Sequence, residues 1–263
     1  MKRFLHWMYD SVRLHLGIKR FLKNAYIDVK SYIDTEIILK LNRVTEGYIT
    51  RNIIRHYGAD YRWGDEKSQN IKKNTSNLGY GLVHYAFIRN FRPKRILCVG
   101  SMYGFIPYMM ARACQENGYG HVDFVDAGFD INKKNDRTKH SFGQGFWKNT
   151  DLDRHFSYLL DKKFIDTYIM TTKEFHDKYK FEYDYVYLDG DHTYEGGKLD
   201  LKLFWPRLKK DGFLCYHDIH FKRILKGIVF GYWKVWEELS LSKRFKIEVS
   251  NKYSGLGFVQ KKI

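Results

Sequence analysis

From residue 95 onward, short apolar runs alternate with stretches of helical spacing. Residues 95–99, Arg-Ile-Leu-Cys-Val, end at Gly100 and read as a strand buried on both faces. Residues 106–115 follow with helical character, then 121–125 form a second strand closed by Asp126. A long polar loop and a helix near 151–162 precede a third strand at 167–170. A fourth strand is expected at 183–188, a helix at 196–209 and a fifth strand at 213–216. Strands that alternate with helices predict a parallel sheet covered on both sides. The tail breaks this rhythm, because 245–249 and 257–260 are strand-like and the seven residues SNKYSGL between them leave no room for a helix. An antiparallel hairpin should therefore close the sheet.

The first third of the chain is patterned differently. Leu5, Met8, Val12 and Leu16 stand at helical spacing within residues 1–23, and Ile27, Tyr32, Ile37, Ile38, Leu41 and Val44 give a second helical region over 25–60. Residues 61–79 are polar and punctuated by Gly and Asn, a loop. A helix is expected from about Leu82 to Asn90, with Pro93 marking the change to the strand rhythm. Two regions result. Residues 1–79 form an N-terminal helical extension that serves as an acceptor lid or oligomer contact, and residues 80–263 form the α/β domain.

Charge changes the picture mainly at that N-terminus. The 263 residues carry 46 Lys and Arg against 30 Asp and Glu, a net +16, and residues 1–95 alone hold 19 basic against 8 acidic residues. Such a balance favours phosphates, nucleic acid or anionic lipid but is silent on fold. No paired Cys/His finger and no RRM-like aromatic signature is present, so a dedicated nucleic-acid binder is not expected. Lys2, Arg3, Arg13, Lys19 and Arg20 surround the apolar stripe of residues 1–23, which lacks the uninterrupted apolar core and small-residue cleavage site of a secretory signal. Docking on its own domain or on a second copy is the preferred role of this segment, with peripheral membrane contact as the alternative. No run reaches the length of a membrane span. Cys98, Cys114 and Cys215 are widely separated within apolar stretches, which suits core packing in a reducing, cytoplasmic setting.

Candidate chemistry gathers at the carboxyl ends of the strands, where ligands bind in doubly wound sheets. Gly100-Ser101-Met102-Tyr103-Gly104 follows the first strand. Asp126, 22 residues after Gly104, ends the second, where a carboxylate can accept both hydroxyls of a ribose. The turn lacks the third glycine of the dinucleotide fingerprint. Asp189 follows the fourth strand, and His217 and Asp218 follow the fifth. Neighbouring parallel strands end at one edge, so these side chains should share one mouth, where two carboxylates and an imidazole suit a hard divalent cation. His192 can take a proton from an acceptor hydroxyl, or cap the next helix.

These segments resemble the class I S-adenosylmethionine-dependent methyltransferases, within them the small-molecule O-methyltransferases related to macrocin O-methyltransferase and the cephalosporin hydroxylase-type proteins. The resemblance spans roughly residues 80 to 262. It is carried by Leu188-Asp189-Gly190-Asp191-His192-Thr193-Tyr194-Glu195-Gly196, by Lys210-Asp211-Gly212, by His217-Asp218-Ile219 and by Gly255-Leu256-Gly257. It implies a Rossmann-like, doubly wound seven-stranded sheet, mostly parallel with a C-terminal antiparallel hairpin. It also implies that Gly100, Ser101, Tyr103 and Gly104 wrap the methionine part of S-adenosylmethionine, that Asp126 holds the ribose, and that Thr171 and Thr172 lie near the adenine. Asp189 then borders the cofactor, and Asp189, His217 and Asp218 match the positions that hold magnesium at the acceptor hydroxyl, with His192, Asp189 and Asp218 as the catalytic set.

Three positions depart from that family. Cys98 and Met102 stand where an acid and a glycine are common, and His217 replaces an acid of the metal-dependent members. A histidine there allows a metal-free site or one that favours manganese or iron. The expectation is thus an O-methyltransferase acting on a small, sugar-like acceptor. A nicotinamide-dependent oxidoreductase and a non-catalytic binding or scaffold protein of the same fold are the rivals. Phe230, Tyr232, Trp233 and Trp236 read as core or lid packing rather than a substrate platform, and Gly79-Tyr80-Gly81 as a pocket wall or a helix entry.

Overall fold

The computed structural model describes residues 80–129, 145–156, 160–225, 227–239, 244–249 and 254–262. The N-terminal helices expected over 1–60, the loop at 61–79, Gly79, most of the loop at 128–150 and part of the helix near 151–162 lie outside the described residues.

Helix α1 (Tyr80–Phe91) leads into β1 (Arg95–Val99), and α2 (Phe105–Asn117) into β2 (His121–Asp126). Two 3₁₀ turns, at Trp147–Asn149 and Lys162–Phe164, flank the short α3 (Leu152–Phe156) before β3 (Ile165–Ile169). Then come α4 (Thr172–Lys178), β4 (Tyr183–Leu188), α5 (Tyr194–Phe204) and β5 (Leu208–His217). A two-stranded ribbon of β6 (Ile224–Leu225) and β7 (Ile228–Val229) runs into α6 (Tyr232–Glu238), and β8 (Arg244–Val249) and β9 (Leu256–Lys261) finish the chain.

The seven-stranded sheet has the order β3-β2-β1-β4-β5-β9-β8. The first five strands are parallel neighbours, whereas β9 runs antiparallel to both β5 and β8. This is the doubly wound sheet with a terminal hairpin that the patterning predicts. The strand order reverses between β1 and β4, which makes the ends of those two strands the switch point where a ligand crevice opens. Leu97 and Val99 of β1, Val186 and Leu188 of β4, and Leu214 and Tyr216 of β5 pack with Phe175, Phe204, Tyr232, Val235 and Trp236 on one face. On the other face Phe87 of α1 meets Tyr185, Phe213 and Phe258 at ring distances of 5.0–5.4 Å.

Element boundaries differ where local chemistry overrides hydrophobic pattern. The helix expected over 196–209 begins at Tyr194 and stops at Phe204. The Thr193 hydroxyl caps its start by accepting from the Gly196 amide at 3.1 Å, and Pro206 cannot donate a helical hydrogen bond. Strand β5 starts five residues before 213, because Leu208 pairs with Tyr183 and the Lys-Lys-Asp-Gly segment loops out before Phe213 pairs with Tyr185. Asp211 takes a left-handed φ of 62° in that loop. The third strand sits earlier than 167–170, since Asp161 caps the preceding 3₁₀ turn and releases the chain at Ile165. At the opposite edge, Asp123 receives the Arg95 guanidinium at 2.6 and 2.9 Å, and His121 lies 3.1 Å from Asp166. This set of acids ties the starts of β1, β2 and β3 together.

Candidate active site

The glycine turn after β1 is held from three sides. The Gly100 amide donates to the Val125 carbonyl at 2.8 Å, and the Asp189 amide donates to the Val99 carbonyl at 2.9 Å, so the turn is pinned to both neighbouring strands. Gly100 and Gly104 adopt φ of 75° and 84°, which side chains resist. The Ser101 hydroxyl accepts from the Gly104 amide at 3.1 Å, and its carbonyl accepts from Trp147 Nε1 at 2.8 Å. Trp147 also stands against Gly104, while His155 Nε2 bonds the Tyr103 carbonyl at 2.8 Å and the Tyr103 ring meets Phe146 edge-on at 4.9 Å. Phe146, Trp147 and His155 are missed by sequence reasoning. They lie in a polar stretch with no period, and the only available signal is an aromatic pair beside glycines.

Asp126 sits where the second strand ends, with one oxygen toward the turn and the other toward its own following loop. Oδ2 accepts from the Ser101 amide at 3.2 Å and Oδ1 from the Gly128 amide at 2.8 Å. Burial pushes its pKa up to about 6, against the pull of those two amides. Each oxygen keeps a lone pair for a further donor. Cys98 lies fully buried under the turn, and burial drives its thiol pKa well above the ordinary value. Asp126 is thus the acid that faces the turn from β2, and Asp189 faces it from β4.

Thr171 and Thr172 stand at the start of α4. The Thr171 hydroxyl accepts from the Glu174 amide and donates to the Glu174 carboxylate at 2.8 Å, a reciprocal helix cap. Thr172 donates to Asp200, which burial pushes up to about 7. The Tyr232 hydroxyl lies 3.5 Å from Asp200 and accepts from the Gly190 amide at 3.2 Å, bracing the loop after β4 from behind.

On the other side of Asp189 the expected trio converges and is joined by His192. His217 Nδ1 stands 3.0 Å from Asp189 Oδ1 and 3.2 Å from Asp218 Oδ1, and His192 Nδ1 stands 3.2 Å from Asp218 Oδ2. His192 Nε2 is 3.9 Å from Asp189 Oδ1. Ligand atoms of Asp189, His192 and Asp218 all lie within 4.8 Å of one another. The Tyr187 hydroxyl donates to Asp189 Oδ2 at 3.0 Å. His217 is only 7% exposed; its Nδ1 stands at ion-pair distance from both carboxylates, while its Nε2 is buried without a hydrogen-bond partner.

Burial alone would lower the His217 pKa, but the Asp189 and Asp218 carboxylates carry it well above the ordinary imidazole value. They do the same for His192, more mildly and chiefly through Asp218. Asp218 is held below the usual carboxylate range, the two imidazoles outweighing the cost of burial. Its φ of 56° is a left-handed conformation that a non-glycine residue rarely adopts, held here where the chain leaves β5. His192 is not the cap of α5, because Thr193 fills that role. Its ring lies 4.9 Å from Phe230 and 5.7 Å from Tyr232, and its carbonyl accepts from the Gly231 amide. Of the aromatic group near the C-terminus, Tyr232 and Trp236 are core and Phe230 is a wall of the mouth. Tyr80 meets His217 edge-on at 5.8 Å while its hydroxyl accepts from the Gly255 amide at 3.0 Å, so it is both helix entry and pocket wall.

Residues 97–219, from β1 through the end of β5 to Ile219, match a family described as a methyltransferase domain. Over that span the chain is similar to methyltransferase domains. The matched span contains every candidate site residue named above except Tyr80 and those of the Phe230–Trp236 segment. Three solved structures share the fold: an O-methyltransferase from Klebsiella pneumoniae (12% identity, 80% of this chain and 90% of that one, TM-score 0.52), an O-methyltransferase from Bacillus cereus in complex with SAH (9%, 81% and 90%, 0.51), and a caffeoyl-CoA O-methyltransferase from Staphylococcus aureus (13%, 87% and 99%, 0.51). None of the curated proteins compared with the chain matches it. Among the described residues, no helix is long and apolar enough to cross a membrane.

Proposed function

We propose that the chain transfers the methyl group of S-adenosylmethionine to a hydroxyl oxygen of a small, sugar-like acceptor. The observation that carries this reading is the double position of Asp189. Its backbone touches the glycine turn that faces Asp126, and its carboxylate belongs to the cluster of His192, His217 and Asp218. A donor lying on the turn and a hydroxyl seated in the cluster would then meet across one residue.

In this reading Asp126 accepts the ribose hydroxyls, and the amides of the Gly100–Gly104 turn face the methionine part. Asp218 Oδ2 orients His192 through Nδ1, leaving Nε2 to receive the acceptor proton, the pairing used by imidazole bases elsewhere. The hydroxyl oxygen attacks the methyl carbon in line, the carbon–sulfur bond breaks, and the proton passes to His192. Alignment of the two reactants supplies much of the rate.

A divalent ion would fit the same cluster, because the buried His217 Nδ1 stands 3.0 Å from Asp189 Oδ1 and 3.2 Å from Asp218 Oδ1. Asp189, His217 and Asp218 would hold it, and it would favour the alkoxide form of the hydroxyl. The reading takes the protein as cytoplasmic, with no dedicated nucleic-acid partner and with residues 1–23 not expected to serve as a membrane contact.

The test is transfer of label from methyl-labelled S-adenosylmethionine to a panel of monosaccharides, glycosides and phenols. Labelled ether on a sugar hydroxyl supports the whole reading. Label on a phenol alone would move the acceptor class, and label on nitrogen or carbon would overturn it.

A further inference from the structure

We propose that the β6–β7 ribbon docks the protein on an anionic lipid bilayer, its apolar residues entering the headgroup region and its flanking basic residues meeting the lipid phosphates. The inference goes beyond the acceptor reading above and does not rest on it. Ile224 and Val229 form one register pair of the ribbon and are 68% and 58% exposed, more than any other large hydrophobic residue among those described. The second register pair, Leu225 with Ile228, is apolar as well. Gly227 at the tip has a φ of 80°, and a Cβ added to it would meet nothing within 4 Å. The tip is therefore not packed against the described part of the domain.

The surroundings of the ribbon select its partner. Residues 219–236 include Lys222, Arg223, Lys226 and Lys234 and no Asp or Glu. Lys222, Arg223 and Lys234 are exposed. Lys222 stands 2.9 Å from Glu237, an ion pair between two exposed groups, which contributes little and can be exchanged for a lipid phosphate. Lys222 and Lys234 hold their ammonium groups 4.2 and 5.3 Å from the ring centre of the half-buried Trp233. An apolar tip, a basic collar and a Trp between them are what an interfacial segment combines, because apolar burial and attraction to anionic headgroups then act together. A nucleic acid would engage the charges and leave the Ile224–Val229 pair in water.

The ribbon rises from the mouth itself. The Phe230 amide donates to the Arg223 carbonyl at 3.0 Å, the Phe221 and Phe230 rings meet at 4.5 Å, and Phe230 lies 4.9 Å from His192. Contact through the ribbon thus brings the mouth to the bilayer surface.

The experiment sediments the full chain with vesicles of phosphatidylcholine alone and of phosphatidylcholine with about one-third phosphatidylglycerol, at low and at high salt. Wild type should bind the mixed vesicles at least about tenfold more tightly than the neutral ones, and high salt should remove most of that difference. Ile224→Ser combined with Val229→Ser should weaken binding to mixed vesicles at least about tenfold and leave the thermal midpoint unchanged, since both side chains are exposed. Cys98, Cys114 and Cys215 are buried, so Ile224→Cys can be labelled alone with a polarity-sensitive fluorophore, whose emission should shift to the blue when mixed vesicles are added.

Sedimentation of wild type with neither vesicle, equal binding to both, or an unshifted fluorophore on vesicles that carry the protein overturns the proposal. So does full binding by the double variant, which would move the contact to another basic segment such as residues 1–23. Binding of a single-stranded RNA in place of mixed vesicles would assign the basic collar to nucleic acid and overturn it as well.

Discussion

Gly100 and Asp189 touch backbone to backbone, and a Cβ on Gly100 would be pressed into the Asp189 carbonyl and would meet the Gly190 Cα at 2.8 Å. The contact joins the end of β1 to the end of β4 at the switch point of the sheet. It sets the distance between the turn that faces Asp126 and the cluster of His192, His217 and Asp218.

Gly100→Ala should therefore damage both halves at once. The added methyl meets backbone that cannot rotate away, and the φ of 75° strains any side chain. Denaturant unfolding should show a loss of more than about 2 kcal/mol, and the surviving folded protein should bind SAH weakly. Alanine at Gly118, which has a similar φ of 61° but open space around it, should cost less.

Nucleoside binding should depend on pH through Asp126. Its carboxyl titrates at about 6 before ligand binds, and a ribose is accepted by the charged form. Affinity for SAH should be constant above that pH and fall toward about tenfold per unit below it. Calorimetry between about pH 5 and about pH 8 reads this directly, and Asp126→Asn should flatten the profile at weak affinity. A flat wild-type profile would show that Asp126 does not hold the ligand.

Much of this site is legible in the chain because strand ends carry their chemistry with them. Asp126, Asp189, His217 and Asp218 each follow an apolar run, and parallel topology brings such residues to one edge. The role of Thr193 as the α5 cap, which frees His192, depends on a hydroxyl reaching the Gly196 amide, and spacing alone does not distinguish the two neighbours. The bracing of the glycine turn by Trp147 and His155 is invisible for a different reason. Those contacts cross from a loop without periodicity to a strand end 46 and 52 residues earlier. The outward loop of Lys209 to Gly212 likewise hides the true start of β5, since its polar residues interrupt the apolar pattern that marks a strand.

Asp200 provides a test of the packing behind the site. Burial pushes its carboxyl up to about 7, so the folded chain holds a proton that the unfolded chain releases. The stabilisation from this group is complete below the ordinary carboxylate pKa and is lost as pH rises through about 7. The melting temperature of Asp200→Asn relative to wild type should accordingly rise by a few degrees between about pH 5 and about pH 8. A difference that does not change with pH would place the Asp200 carboxyl outside the buried network of Thr172 and Tyr232.

His192→Ala separates binding from chemistry. Its ring faces Asp218 and Phe230 on the acceptor side, away from the glycine turn. Turnover on the acceptor identified by methyl transfer should fall by about 10²–10⁴-fold, with SAH affinity within about twofold of wild type. Full turnover in this variant would remove His192 as the base.

The most direct measurement of the central claim is calorimetric titration of the purified protein with SAH, with NADH as the comparison ligand and Asp126→Ala as the variant. The account predicts one-site binding of SAH, weakened in Asp126→Ala by about 1–3 kcal/mol, and no binding of NADH. Binding of NADH in place of SAH, or SAH binding that Asp126→Ala leaves unchanged, would contradict it.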